Sequence, residues 1–133
     1  MQAPITALYA AICGLFIAAM VLHVATLRRR FRVGIGDGGE RQLALAVRAH
    51  GNAVETIPIA LILLLMLELN KGQAGVLHAF GTALIVGRFL HAFGLSRHIG
   101  ISFGRFWGTI TTLVTIVGLA VANLVAFWLS VQT

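Results

Sequence analysis

Acidic residues, cysteine, proline and tyrosine are all scarce in this sequence. Its 133 residues include four acids, one cysteine, two prolines and one tyrosine, and only 11% are charged. A soluble domain usually has about 25% charged residues, so the composition excludes an ordinary soluble protein. The single cysteine, Cys13, excludes a disulfide within the chain and lies in an apolar segment, which indicates a packing role.

The sequence instead contains long apolar segments, and 59% of its residues are hydrophobic. We predict a single domain over residues 1–133, an all-α integral membrane protein that folds as a four-helix transmembrane bundle with up-down topology. The predicted spans are 5–27, 42–69, 74–93 and 105–131. The first contains no charged residue and would be roughly 34 Å long as a helix, enough to cross a ~30 Å hydrocarbon core.

The positive charge lies at the ends of the apolar segments. A net charge of +6 raises the possibility of nucleic-acid binding, but the arginines do not form a soluble basic face, so we expect no nucleic-acid partner. The second loop contains a single basic residue, Lys71, whereas the first and third loops are rich in arginine. The positive-inside rule therefore predicts that loops one and three are cytoplasmic. The arginines in or beside these two loops are Arg28, Arg29, Arg30, Arg32, Arg41, Arg97 and Arg105.

Polar residues on the second and third spans are spaced to share helical faces. Arg41, Arg48, Asn52 and Glu55 are separated by 7, 4 and 3 residues, which places them on one face, whereas His50 points elsewhere. The second span is largely apolar from Thr56 to Leu69, roughly 21 Å of helix, so Glu55 is expected inside the core near one boundary.

A second polar face lies on the third span, at about the same depth in the membrane as Glu55. Arg88 and His91 share a face, and Arg88 lies about 20 Å along a helix that enters from the other side. These groups are interpreted either as a buried network that fixes helix packing or as a site for an anionic ligand. The surplus of cations over the one deep carboxylate favours the ligand site. Pro58, three residues after Glu55, has no N–H to donate to the carbonyl oxygen of Val54. This proline is interpreted either as a tolerated kink in the helix or as part of the site.

Two motifs of these spans resemble the MAPEG family, the membrane-associated proteins in eicosanoid and glutathione metabolism. The resemblance covers nearly the whole chain, and the glycine-rich stretch 34–39 resembles the bacterial branch, which implies a bacterial inner membrane. The second-span motif is Arg48-Ala49-His50-x-Asn52-x-x-Glu55-x-x-Pro58, and the third-span motif is Gly87-Arg88-x-x-His91.

The resemblance implies a homotrimer in the lipid bilayer that binds glutathione, as co-substrate, between neighbouring subunits. It implies that Arg105 stabilises the glutathione thiolate, because a guanidinium favours the charged form of a thiol. A lipophilic small-molecule substrate would then arrive through the bilayer. The glutathione-binding positions that it implies are Arg28, Arg48, His50, Asn52, Glu55, Arg88 and His91, with Arg29 or Arg30 as alternatives to Arg28.

The chain departs from the family pattern at three positions. Gly51 stands where some members have a second arginine, and Leu95 where a ligand-contacting tyrosine is expected. Phe106 replaces a serine proposed for catalysis in prostaglandin-forming members, so eicosanoid synthesis is not supported. The spacing of His23 from Arg30 also allows it to face the same site, but a packed, hydrogen-bonded histidine is favoured. No histidine cluster indicates a metal site. Gly104-x-x-x-Gly108 allows close contact between helices.

Three functions from different classes are compatible with this pattern. The first is a glutathione-dependent transferase or peroxidase that acts on lipophilic electrophiles. The second is a non-enzymatic trimer that binds an anionic lipid or small acid at the arginine cluster. The third is a small transporter that uses Glu55 as a proton or cation site, although the arginines near Glu55 favour a permanently ionised carboxylate.

Overall fold

Four long helices make up the described chain. The computed structural model describes residues 2–97 and 103–132, with only the backbone at 95–97. The helices are α1 (Pro4–Phe31), α2 (Arg41–Leu69), α3 (Ala74–Arg97) and α4 (Phe103–Val131). Each is long and apolar enough to cross a membrane, which confirms the predicted all-α membrane bundle. The predicted third loop, with His98 and Gly100, lies outside the described residues.

The helices extend beyond the predicted spans at the ends that carry arginine. The first span was predicted to end at residue 27, but α1 continues through Arg28, Arg29 and Arg30 to Phe31. Arginine is a good helix former, and cations are favourable in the last turn of a helix. The prediction located the edge of the apolar segment, whereas the helix ends where Arg32 adopts a left-handed conformation with φ 57°.

The two middle helices form the centre of the bundle. Both α2 and α3 contact every other helix, whereas α1 and α4 do not contact each other within the described ranges. Successive helices pack as neighbours, as up-down topology requires. One buried cluster, which includes Tyr9, Leu64 and Leu77, lies toward the loop between α2 and α3. A second, with Cys13, Ile57 and Leu84, lies deeper in the bundle and confirms the packing role of Cys13.

Glu68 ties the end of α2 to the start of α1. Its carboxylate accepts hydrogen bonds from the backbone N–H of Ile5 at 2.9 Å and of Thr6 at 2.6 Å. No side chain of α1's own N-cap residue, Ala3, satisfies these donors. No motif in the sequence marks Glu68, because its partners are distant in sequence and are backbone groups.

Removing this charge should loosen the contact between α1 and α2. We expect Glu68→Gln to lower the free energy of unfolding by about 1 kcal/mol, since one acceptor oxygen and the favourable charge at the helix N-terminus are lost. Unfolding of the detergent-solubilised protein by a denaturing detergent measures this change. Glu40→Gln is the matched control, because Glu40 also lies at a helix N-terminus but its side chain makes no capping hydrogen bond. An equal loss in both variants would contradict the capping role.

Glycine allows α3 and α4 to approach closely. A Cβ atom placed on Gly108 would lie 2.5 Å from the backbone nitrogen of His91 and 2.7 Å from the carbonyl oxygen of Gly87. A Cβ on Gly104 would lie 2.8 Å from the carbonyl oxygen of Leu90. The predicted glycine motif is therefore a helix-packing contact, and it sets the distance of His91 from α4.

Candidate functional site

A small pocket opens beside α2, between the faces of α3 and α4. Its volume is about 250 Å³. We call it the polar pocket, because five of its seven lining residues have polar or charged side chains. The lining residues are Val47, Arg48, Gly51, Asn52, Glu55, His91 and Arg105.

Residues from three helices form this pocket. Arg48, Asn52 and Glu55 lie on one face of α2, as the 4 and 3 spacing predicts. His91 comes from α3, and Arg105 comes from the first turn of α4. The structure thus brings together five of the eight residues proposed from the sequence, including the proposed catalytic arginine.

Arg88 lies beneath the pocket and is almost completely buried, with 3% of its surface exposed. Its Nη1 donates to the side-chain oxygen of Asn52 at 2.6 Å and to the hydroxyl of Thr56 at 2.9 Å. The same nitrogen lies 3.4 Å from the backbone oxygen of Asn52. The predicted approach of Arg88 to α2 is therefore observed, but these hydrogen bonds go to an amide and a hydroxyl rather than to Glu55.

This hydrogen bond fixes the orientation of the Asn52 amide. A guanidinium group has only donors, so the amide atom that faces Arg88 must be the oxygen. The NH₂ group of Asn52 then points away from Arg88, and it bonds to no other group in the described part of the chain. Because Asn52 lines the polar pocket, its amide contributes a donor there. Arg88 thus positions a pocket residue without lining the pocket itself.

Thr56 is the residue of this network that sequence reasoning missed. It accepts from Arg88, and its hydroxyl donates to the backbone oxygen of Asn52 at 2.7 Å. Its position one turn after Asn52, on the same polar face, was the signal that could have identified it.

The polar pocket is suited to an anion that also carries one positive group. Arg48 and Arg105 contribute two guanidinium groups, and Asn52 contributes an amide donor. Glu55 is the only carboxylate among the lining residues. Arginine binds carboxylates with two parallel hydrogen bonds, and a carboxylate binds an ammonium group. The pocket can therefore hold a zwitterionic ligand with excess negative charge.

Two of the proposed binding residues lie away from this pocket. Arg28 donates to the carbonyl oxygens of Gly34 at 3.2 Å and Val33 at 3.5 Å, so it holds the loop after α1. His50 lies on α2 but does not line the polar pocket, in agreement with the prediction that it points elsewhere. Neither residue lines the polar pocket.

The departures from the family pattern have different structural settings. Gly51 lines the polar pocket, and a Cβ placed on it would meet no atom within 4 Å. Phe106 is exposed and packs edge-on against Trp107, with ring centroids 5.6 Å apart. The side chain of Leu95 lies outside the described residues. Gly51 is therefore the departure that leaves additional space in the polar pocket.

Comparison with known proteins agrees with this architecture. The model of the MAPEG family matches residues 6–125. The "Inner membrane protein YecN" of Escherichia coli strain K12 is 40% identical over 95 residues, which are 71% of this chain and 72% of that protein. The protein of the same name from Escherichia coli O6:H1 matches to the same extent. The relatives' name agrees with the predicted inner-membrane localisation.

Proposed function

We propose that this chain, which belongs to the MAPEG family, is a glutathione-dependent transferase or peroxidase that acts on lipophilic electrophiles. The observation that supports this proposal is the composition of the polar pocket. Arg48, Asn52 and Glu55 line one small pocket together with Arg105. No two of these four groups are adjacent in sequence, yet all four line the same pocket.

Glutathione has the charges that this pocket would complement. It carries two carboxylates and one ammonium group. Arg48 and the Asn52 amide are assigned to a carboxylate, and Glu55 is assigned to the ammonium group. Arg88 supports this arrangement from below by holding the Asn52 oxygen at 2.6 Å.

Arg105 is assigned to the reacting sulfur. A thiol with a pKa near 8.5 is mostly protonated at neutral pH, and a nearby guanidinium favours the thiolate. In the transferase reaction, the thiolate attacks an electrophilic carbon, a carbon–sulfur bond forms, and the leaving group departs with its electron pair. A lipophilic electrophile would reach the pocket from the bilayer.

A neighbouring subunit is proposed to complete the site. The polar pocket, at about 250 Å³, is smaller than the roughly 300–1,000 Å³ typical of pockets for drug-sized ligands. Arg28 and His50 lie outside the pocket of their own chain. In a homotrimer, these two residues are candidates to contact glutathione bound to the adjacent subunit.

The role of Glu55 can be tested with a glutathione analogue that lacks the amino group. Wild-type protein should bind the analogue about tenfold more weakly than glutathione, because the Glu55 carboxylate loses its ammonium partner. In Glu55→Gln, affinity for glutathione should fall similarly and the preference over the analogue should disappear. Equilibrium binding to the detergent-purified trimer measures both. A preference that persists in Glu55→Gln would exclude this assignment.

Gly51→Arg should strengthen glutathione binding. The pocket has open space at this position, and a third guanidinium there would add a charge-assisted hydrogen bond to a carboxylate. We expect the dissociation constant to fall about three- to tenfold. Gly51→Gln, which adds a hydrogen-bonding amide without a charge, is the control. Equal effects of the two substitutions would show that charge is not the cause.

A further inference from the structure

A second and larger pocket lies on the opposite side of α2, between α1 and α3. Its volume is about 580 Å³, and we call it the apolar groove. Ten of its thirteen lining residues are hydrophobic, and the other three are His23, Arg30 and Gln42. The hydrophobic lining residues are Phe16, Ala19, Met20, Leu27, Leu45, Ala46, Ala49, Phe89, Ala92 and Phe93.

The groove is long and has two different ends. Phe16 and Phe89 pack against each other at its deep end, with ring centroids 4.8 Å apart. Arg30 and Gln42 lie at the other end, where α1 ends and α2 begins. From Phe16 to Arg30 the groove follows α1 for about 21 Å at the helical rise, much of a ~30 Å hydrocarbon core.

The mouth of the groove is strongly basic. Residues 28–41 contain five arginines and two acids. The Arg30 guanidinium lies 5.6 Å from the centre of the Phe31 ring, and the Arg30 side chain is exposed. A cation stacked on a ring keeps its edge N–H groups available for an anion. An anionic group at the mouth would therefore be attracted there.

His23 does not have the packed setting that the sequence suggested. It is exposed on α1 and lines the groove, and no hydrogen bond ties it to another described residue. The prediction of a packed, hydrogen-bonded histidine is wrong, because its face of α1 borders a groove rather than a neighbouring helix. His23 and Arg30 are seven residues apart, so they lie on the same side of the groove.

The apolar groove and the polar pocket are separate sites. They share no lining residue. Arg48 and His91 line the polar pocket, whereas the next residues along the chain, Ala49 and Ala92, line the groove. A molecule in the groove would therefore not occupy the polar pocket.

We propose that the apolar groove binds an anionic glycerophospholipid, with one acyl chain between α1 and α3 and its phosphate on Arg30 and Gln42. The hydrophobic walls match an acyl chain, and the groove opens at the level where a headgroup would lie. Basic pockets between transmembrane helices are suited to anionic headgroups. A phosphate is an ionised acceptor, so it forms charge-assisted hydrogen bonds with both the Arg30 guanidinium and the Gln42 amide.

Native mass spectrometry of the detergent-purified protein tests this site. Phosphatidylglycerol, phosphatidylcholine and a long-chain fatty acid would be titrated separately. We expect about tenfold tighter binding of phosphatidylglycerol than of the other two, and loss of this preference in Arg30→Gln. Arg29→Gln is the matched control, because Arg29 is exposed and does not line the groove. Ala46→Phe should fill the groove and abolish binding, with the melting temperature confirming that the variants fold.

Several outcomes would overturn the proposal. Equal binding of the two phospholipids by wild-type protein would indicate general bilayer lipid around the helices. Preference for the fatty acid would indicate a single-chain ligand instead. Unchanged binding in Arg30→Gln or in a folded Ala46→Phe variant would place the lipid elsewhere. If Ala46→Phe alters the oligomeric state without affecting lipid binding, the groove is covered by a second copy of the chain.

Discussion

Arg105→Ala is expected to lower the turnover number of the glutathione reaction by about a hundredfold or more while glutathione still binds. Removing one group that stabilises charge in a transition state typically costs 10²–10³ in rate. Arg105 is assigned to the sulfur, whereas Arg48, Asn52 and Glu55 are assigned to the charged groups of the peptide. The loss should therefore appear mainly in the turnover number, not in the Michaelis constant for glutathione.

The pH dependence of the reaction shows whether Arg105→Ala loses turnover because less of the thiol is ionised. Without Arg105, less of the bound thiol is ionised at neutral pH, so activity should recover in part as the pH rises. Arg41→Ala is the control, because Arg41 was predicted on the polar face of α2 but does not line the polar pocket. A Michaelis constant that rises while turnover stays unchanged would assign Arg105 to binding.

Gly108→Ala is expected to destabilise the fold by about 3 kcal/mol and to disturb the polar pocket. The added methyl group would meet two backbone atoms of α3, at 2.5 Å and 2.7 Å, and backbone cannot rotate away as a side chain can. Overpacking of this kind costs about 1–3 kcal/mol, occasionally more. Because the nearer atom is the nitrogen of His91, glutathione binding should weaken as well.

Gly14→Ala is the matched control for this substitution. A Cβ on Gly14 would meet no atom within 4 Å, and Gly14 lies within α1. The same chemical change should therefore stabilise the protein there by up to about 1 kcal/mol, through helix propensity alone. Unfolding in a denaturing detergent measures both variants. A stabilised Gly108→Ala variant would contradict the close packing of α3 on α4.

The sequence predicted most of the fold because membrane spans leave a strong local signal. A run of apolar residues long enough to cross the bilayer specifies a helix, and the four spans were located to within a few residues at most ends. The shared face of Arg48, Asn52 and Glu55 followed from helical spacing alone. The loop assignment placed Arg105 at the same end of the bundle, and the family resemblance assigned it to the ligand.

What the sequence did not predict depends on contacts between helices. Arg88 was expected at the depth of Glu55 from the helical rise, yet it donates to Asn52 and Thr56. The capping of α1 by Glu68 joins residues more than sixty positions apart. The apolar groove is lined by residues that any span could contain, so no motif marks it.

The most direct test of the polar pocket is the melting temperature of the detergent-purified protein with and without millimolar reduced glutathione. A ligand that binds only the folded state stabilises it, by about 2.7 kcal/mol at a hundredfold excess over the dissociation constant. We predict a clear rise for wild-type protein and none for Arg48→Ala, which loses the guanidinium assigned to a glutathione carboxylate. The absence of any rise in well-folded wild-type protein would contradict glutathione binding at this site.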